Sequence, residues 1–283
     1  MRLLNIGCGR TYHQDWENID LISTSPAVKQ YDIRKRLPYP ENYFDAVYSS
    51  HLLEHLSKIE GKNLINECYR VLKKNGVIRL AVPDLEVIVK EYLYNLKKAV
   101  ANNKQAADNY EWIILELYDQ ATRTYSGGEM RKYLSNNNIS NKSYILQRIG
   151  LEAQKYFNNK DRGMEKNTNI ILKLRIFSII DRLIYIVKNL KYIILKLILR
   201  IIGGKEMIKV YEEVIVRNSG EIHKYMYDRY SLAKLLKEAS FSDIKVCKAK
   251  ESRIKNFSHY QLDIIDGHVR KPDSLFIEAM KKE

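Results

Sequence analysis

Residues 2–84 alternate between short apolar runs and segments of helical spacing, an alternation that restricts the chain to a parallel sheet covered by helices. Strands are predicted at residues 2–6, 17–21, 44–49 and 77–82, with a shorter one before Asp32. Ile59, Leu64, Ile65, Cys68, Tyr69 and Leu72 recur near helical spacing, which predicts a crossover helix over 58–72 with Asn75-Gly76 as its stop. Asp84, after Pro83, is suited to cap a second helix from Leu85 to about Ala101. Near the other end, residues 228–239 read as a capped amphipathic helix, and 243–249 and 274–280 as strands. Sheet-forming pieces thus come from both ends of the chain. The expected architecture is one α/β, Rossmann-like domain made of residues 1–100 and 221–283, with 101–220 as a helical insertion capping the substrate.

A chain of 283 residues can bury a full core, and 45% hydrophobic with 29% charged residues is the composition of a folded protein. Cys8, Cys68 and Cys247 are scattered, without the pair spacing of a zinc or dithiol motif. Met1 leads almost directly into Leu3-Leu4-Asn5-Ile6, with no secretory pattern. A cytoplasmic location and no metal are therefore expected.

The run Asn5-Ile6-Gly7-Cys8-Gly9 follows the first strand, and two glycines there let the backbone turn sharply and approach a ligand with its amides. Gly-x-Gly alone fits an ordinary tight turn equally well. Tyr12 occupies the third position of the dinucleotide fingerprint, which weighs against a nicotinamide cofactor. Asp20, followed by Leu21, ends the second strand, where a carboxylate in such a sheet accepts from ribose hydroxyls; Asp32-Ile33 follows the third. Either acid alone is more often a cap or turn residue, and their order carries the signal.

These segments, with Leu37-Pro38-Tyr39-Pro40, Phe44-Asp45, Ser49-Ser50-His51-Leu52-Leu53-Glu54-His55 and Arg70-Val71-Leu72-Lys73-Lys74-Asn75-Gly76, resemble the type 11 group of class I S-adenosylmethionine-dependent methyltransferases. The resemblance implies a seven-stranded sheet whose last two strands form an antiparallel hairpin. It implies S-adenosyl-L-methionine as cofactor, with Gly7, Cys8 and Gly9 at its methionine part, Asp20 and Leu21 at the ribose and Asp32 and Ile33 at the adenine. Ser49, Ser50 and His51 would sit near the transferable methyl. One departure is that only residues 10–16 separate Gly9 from the second strand, too few for the usual helix. This short form is similar to methyltransferases encoded among cell-surface polysaccharide genes, which share segments like Ser126-Gly127-Gly128-Glu129-Met130 and Arg270-Lys271-Pro272-Asp273-Ser274. That similarity implies a sugar hydroxyl of a glycan or lipid-linked precursor as acceptor. The alternatives are RNA, a lipid-like small molecule, or a scaffold that binds the cofactor without catalysis.

Methyl transfer from a sulfonium is an in-line displacement, so the protein aligns the reactants and removes a proton from a hydroxyl acceptor. His51 is the candidate base. His55 lies one helical turn further and reads more readily as a core histidine. Asp119, Arg123 and Glu129 in the insertion, and His223 beyond it, are candidate acceptor ligands, although surface or ion-pair roles would account for each.

The net charge of +14 concentrates in part between residues 168 and 204, where Lys173, Arg175, Arg182, Lys188, Lys191, Lys196 and Arg200 face a single acid, Asp181. Leu172, Ile176, Ile179, Leu183, Ile186, Leu190, Ile194, Leu197 and Ile201 line one helical face. Such a basic amphipathic helix suits peripheral contact with the inner face of an anionic membrane, or packing of its apolar face on the domain or a second subunit. Bulky aliphatics interleaved with the charge disfavour nucleic acid.

Overall fold

The computed structural model describes residues 1–162 and 171–282, and the side chains of 159–189 lie outside what it describes. Seven strands, β1 (Leu3–Ile6), β2 (Glu17–Asp20), β3 (Val28–Gln30), β4 (Phe44–Ser50), β5 (Leu72–Pro83), β6 (Phe241–Cys247) and β9 (Ser274–Lys281), form one sheet. Their order is β3-β2-β1-β4-β5-β9-β6. The first five strands run parallel, and β9 is antiparallel to both β5 and β6. This is the α/β sheet that the resemblance implies, with its antiparallel end. A small hairpin, β7 (Ile264–Ile265) with β8 (His268–Val269), lies in the connection before β9.

Helix α1 (Lys58–Val71) starts with a capping box: Glu60 N–H donates to the Ser57 hydroxyl and Ser57 N–H to the Glu60 carboxylate. The helix ends at Val71, and Asn75-Gly76 falls inside β5, where Asn75 takes a left-handed conformation beside an irregularity in the pairing with β4. The tight turn there belongs to the strand rather than to the helix stop. Asp84 caps α2 (Leu85–Val100) by accepting from the N–H groups of Glu86 and Val87. No helix separates β1 from β2.

Leu4, Ile6, Ile19, Val47, Ile65, Leu72, Ile78, Leu232 and Ile277 form the main core between sheet and helices. Helices α3 (Lys104–Thr122), α4 (Gly128–Leu134), α5 (Lys142–Ile149) and α6 (Leu151–Arg162) have a core of their own around Trp112, Leu134, Ile145 and Ile149. Helix α7 (Ile171–Asn218) is broken at Gly204, whose φ is 65°. Lys196 Nζ lies 2.7 Å from Glu212 Oε1, sixteen residues on, a separation of about 24 Å in a straight helix. The two limbs therefore fold back as a helical hairpin. Helix α8 (Arg229–Glu238), capped by Asp228, packs beside β6.

Candidate functional site

At the carboxyl ends of the parallel strands, Gly7 and Gly9 adopt φ of +66° and +54°. A Cβ on Gly7 would stand 2.7 Å from the Leu52 side chain, whereas one on Gly9 would meet nothing within 4 Å. The loop is thus packed on one side and open on the other. Asp20 holds it: one carboxylate oxygen accepts from Gly9 N–H at 2.8 Å, the other from Ile22 N–H at 3.1 Å. A cavity of about 350 Å³ opens here, lined by Gly7, Gly9, Asp20, Leu21, Asp32, Ile33, His51 and His55, with Ser219 and Gly220 opposite. The open glycine, the oriented carboxylate and the apolar Leu21 and Ile33 fit a nucleoside-bearing ligand.

Asp32 lines this cavity, but both its oxygens are engaged by the Arg34 guanidinium, at 2.8 and 2.9 Å, and that bond holds its carboxyl below the ordinary value. Three residues expected at the cofactor lie off the cavity walls. Cys8 is buried, its thiol pushed up to about 12 by burial. Ser49 donates to the Ile6 carbonyl and staples β4 to β1, while the Ser50 hydroxyl accepts from Arg270. Both serines are spent on joining elements.

A second cavity, of about 280 Å³, adjoins the first, and His51 and His55 line both. His51, with φ of 52°, leaves β4 in the left-handed region, which turns its ring toward the cavities. Its Nε2 lies 2.8 Å from Ser274 Oγ and its Nδ1 3.2 Å from Glu54 Oε1. Burial, reinforced by Lys271 and Arg270, holds this imidazole well below its ordinary value, so it stays neutral. Glu54 is fully buried and its carboxyl is pushed up to about 8 by burial. His55 Nδ1 lies 3.1 Å from the Ile222 carbonyl, and the His55 and His223 rings meet edge to face at 4.9 Å.

The far wall of this second cavity comes from the helices: Glu116, Gln120, Arg123, Arg131, Glu152 and Tyr156, with Lys271 and Asp273 from the loop before β9. Of the four residues expected at the acceptor, Arg123 and His223 line it. Asp119 stands behind, bonded to Arg123 Nη2 at 2.6 Å and accepting from Glu129 N–H at 2.7 Å. The Glu129 side chain is exposed and bonded to the Tyr125 hydroxyl, away from the cavity. Gly127 and Gly128 have φ of +79° and +55°; a Cβ on the second would stand 2.4 Å from Asp119 Oδ1. Gly128 therefore leaves room for the Asp119 carboxylate, and Gly127 for the Arg131 side chain. Glu54, Glu116, Glu152 and Lys271 were missed as site residues. Glu54 lies in a quoted motif, but nothing in the sequence shows that the strand ends and the insertion share a wall.

The family model described as "Methyltransferase domain" matches residues 14–80. That match spans less than a quarter of the chain and shows a likeness to the domain in this segment. The cofactor implied by that domain is S-adenosylmethionine. An uncharacterized protein of Methanocaldococcus jannaschii is 27% identical over 105 residues, which are 33% of this chain and 45% of that protein. The chain thus spans less than half the length of this curated relative. Among solved structures, the [4+2]-cyclase SpnF is similar at 27% identity over 29% of this chain and 38% of its own, with a TM-score of 0.25. A SAM-dependent methyltransferase from Archaeoglobus fulgidus is 13% identical over 99% of this chain and 86% of its own, with a TM-score of 0.38. The strand order, rather than these low overlaps, carries the fold.

Among the described residues no helix is long and apolar enough to cross a membrane. Of the predicted amphipathic segment, residues 168–170 and the side chains up to 189 lie outside the described residues; within α7, Leu190, Ile194, Leu197 and Ile201 are exposed.

Proposed function

We propose that this chain methylates a hydroxyl of a sugar, in a cell-surface glycan or its lipid-linked precursor. The observation that carries this reading is the junction of two cavities at His51 and His55, one bounded by the glycine loop and Asp20, the other by polar side chains. S-adenosylmethionine supplies a methyl group activated by its sulfonium.

In this reading Gly7, Gly9, Asp20, Leu21 and Ile33 hold the cofactor. Arg123, Glu116, Glu152 and Lys271 offer donors and acceptors to a polyhydroxylated acceptor, whose many hydroxyls need partners when they leave water. Neutral His51, with Nε2–H donating to Ser274 Oγ, takes the hydroxyl proton on Nδ1, where the acceptor hydroxyl replaces the 3.2 Å contact with Glu54 Oε1. Ser274, bonded to its Nε2, orients the ring. The exposed aliphatic residues of α7, interspersed with Lys191 and Arg200, support peripheral contact with an anionic membrane, where a lipid-linked sugar resides.

Labelled cofactor incubated with the protein and with host envelope glycans, lipid-linked sugars or RNA tests this proposal. Label in a carbohydrate product supports it; label in RNA alone, or cofactor binding with no transfer to any of the three, overturns it.

A further inference from the structure

The Glu54 carboxyl is the one among the described residues with both oxygens buried and without a hydrogen bond. It has no solvent exposure, and its polar neighbour His51 Nδ1 stands 3.2 Å from Oε1. A buried carboxyl left in that state is costly, and such a group ordinarily has a ligand to satisfy it. What surrounds it is imidazole. One ligand atom each from Glu54, His55 and His223 lie within 4.8 Å of one another, and His55 Nε2 is 4.0 Å from Glu54 Oε1.

We propose that Glu54, His55 and His223 bind a divalent transition-metal cation at the floor of the second cavity. The contacts behind these side chains support it. The Ile222 carbonyl can only accept, so His55 Nδ1 carries the proton and its Nε2 lone pair is left to ligate. The segment bearing His223 is clamped to the one bearing Glu54: Lys224 and Tyr225 N–H groups donate to the Glu54 carbonyl at 2.7 and 3.2 Å, and His223 N–H donates to the Gln120 carbonyl. Three ligands from two distant stretches are thereby fixed on one frame.

Two imidazoles and one carboxylate suit Mn(II), Fe(II), Co(II) or Zn(II), and suit Mg(II), which prefers oxygen, less well. The nearby cations do not cancel the site, since Arg123 is paired with Asp119 at 2.6 Å and Lys271 with Glu152 at 3.0 Å. The cavity leaves the remaining coordination positions facing the acceptor, where a metal would bind a hydroxyl oxygen and acidify it. That consequence rests on the methyl-transfer reading; the binding itself does not.

The test is titration of Co(II) into the chelator-treated full-length protein, followed by visible absorption, calorimetry and thermal unfolding. The expected result is one bound ion per chain, new ligand-field bands, and a rise in Tm. Glu54→Gln is isosteric and removes a buried acid, so it folds; it and His223→Ala each remove a ligand and lose affinity by more than the factor of about 10–100 that a ligand's hydrogen-bond partner is worth. His259→Ala, in the exposed His13, Asp15 and His259 group, leaves the bands unchanged. Absence of Co(II) binding by the folded wild type, equal binding by Glu54→Gln, or loss in His259→Ala alone overturns the assignment. Cofactor affinity measured on the same samples separates this failure from failure of the methyltransferase reading.

Discussion

Arg79 Nε donates to Asp263 Oδ2 at 2.7 Å with both side chains buried, and the same guanidinium reaches Glu278 Oε1 at 2.8 Å. Tyr48 donates to the other Asp263 oxygen. This cluster ties the connection between β6 and β9, which carries Lys271 and Asp273, to the middle of the sheet. Asp263→Ala leaves Arg79 paired with Glu278 but strips the Tyr48 hydroxyl and Arg79 Nε of their acceptor, so it is expected to cost about 1–3 kcal/mol for each orphaned donor in urea unfolding. Breaking the exposed Lys62–Glu238 pair is expected to cost less than about 1 kcal/mol.

Gly128→Ala adds a methyl at positive φ, 2.4 Å from Asp119 Oδ1. The expected loss is about 1–3 kcal/mol, with a displaced Arg123. Steady-state kinetics are expected to show a raised acceptor KM, because Arg123 lines the second cavity.

Glu67 accepts from Leu37 N–H and, through both oxygens, from Arg70, which also donates to the Leu37 and Tyr39 carbonyls. The Arg70 bond holds the Glu67 carboxyl below its ordinary value. A depressed folded-state value means stability that is present above the unfolded value, about 4.3, and lost as pH falls through the folded one. Glu67→Gln is therefore expected to cost about 1–2 kcal/mol at neutral pH, with the gap to wild type narrowing below about pH 4 in unfolding measured across pH.

His51→Asn keeps a residue that tolerates the left-handed backbone and removes the imidazole. Single-turnover rates are expected to fall by about 10²–10⁴-fold with cofactor affinity little changed.

The parallel half of the sheet is legible because each strand is a bounded apolar run, and the caps at Asp84 and Asp228 are local signals that the structure keeps. The glycine loop and Asp20 stand out for the same reason, as neighbours in a regular sheet, and they line one cavity with Asp20 bonded to Gly9 N–H. What the sequence hid is long-range. Ser49 and Ser50 sit in a quoted motif, but their hydroxyls are taken by Ile6 and by Arg270, 220 residues away. Glu129 reads as an acceptor ligand because it is a polar residue of the insertion, but only its backbone N–H meets Asp119 and its carboxylate accepts from Tyr125. His223 joins Glu54 and His55 only through backbone pairing between residue 54 and residues 224–225, which no periodicity announces.

The central claim is that the cavity at Gly7, Gly9 and Asp20 binds S-adenosylmethionine, and calorimetry with the purified chain tests it most directly. The expected result is one site per chain, weakened by at least about tenfold in Asp20→Ala, a loss of about 1.4 kcal/mol or more. A folded wild-type protein that gives no binding heat across temperatures, or an Asp20→Ala variant that binds as well as wild type, would contradict it.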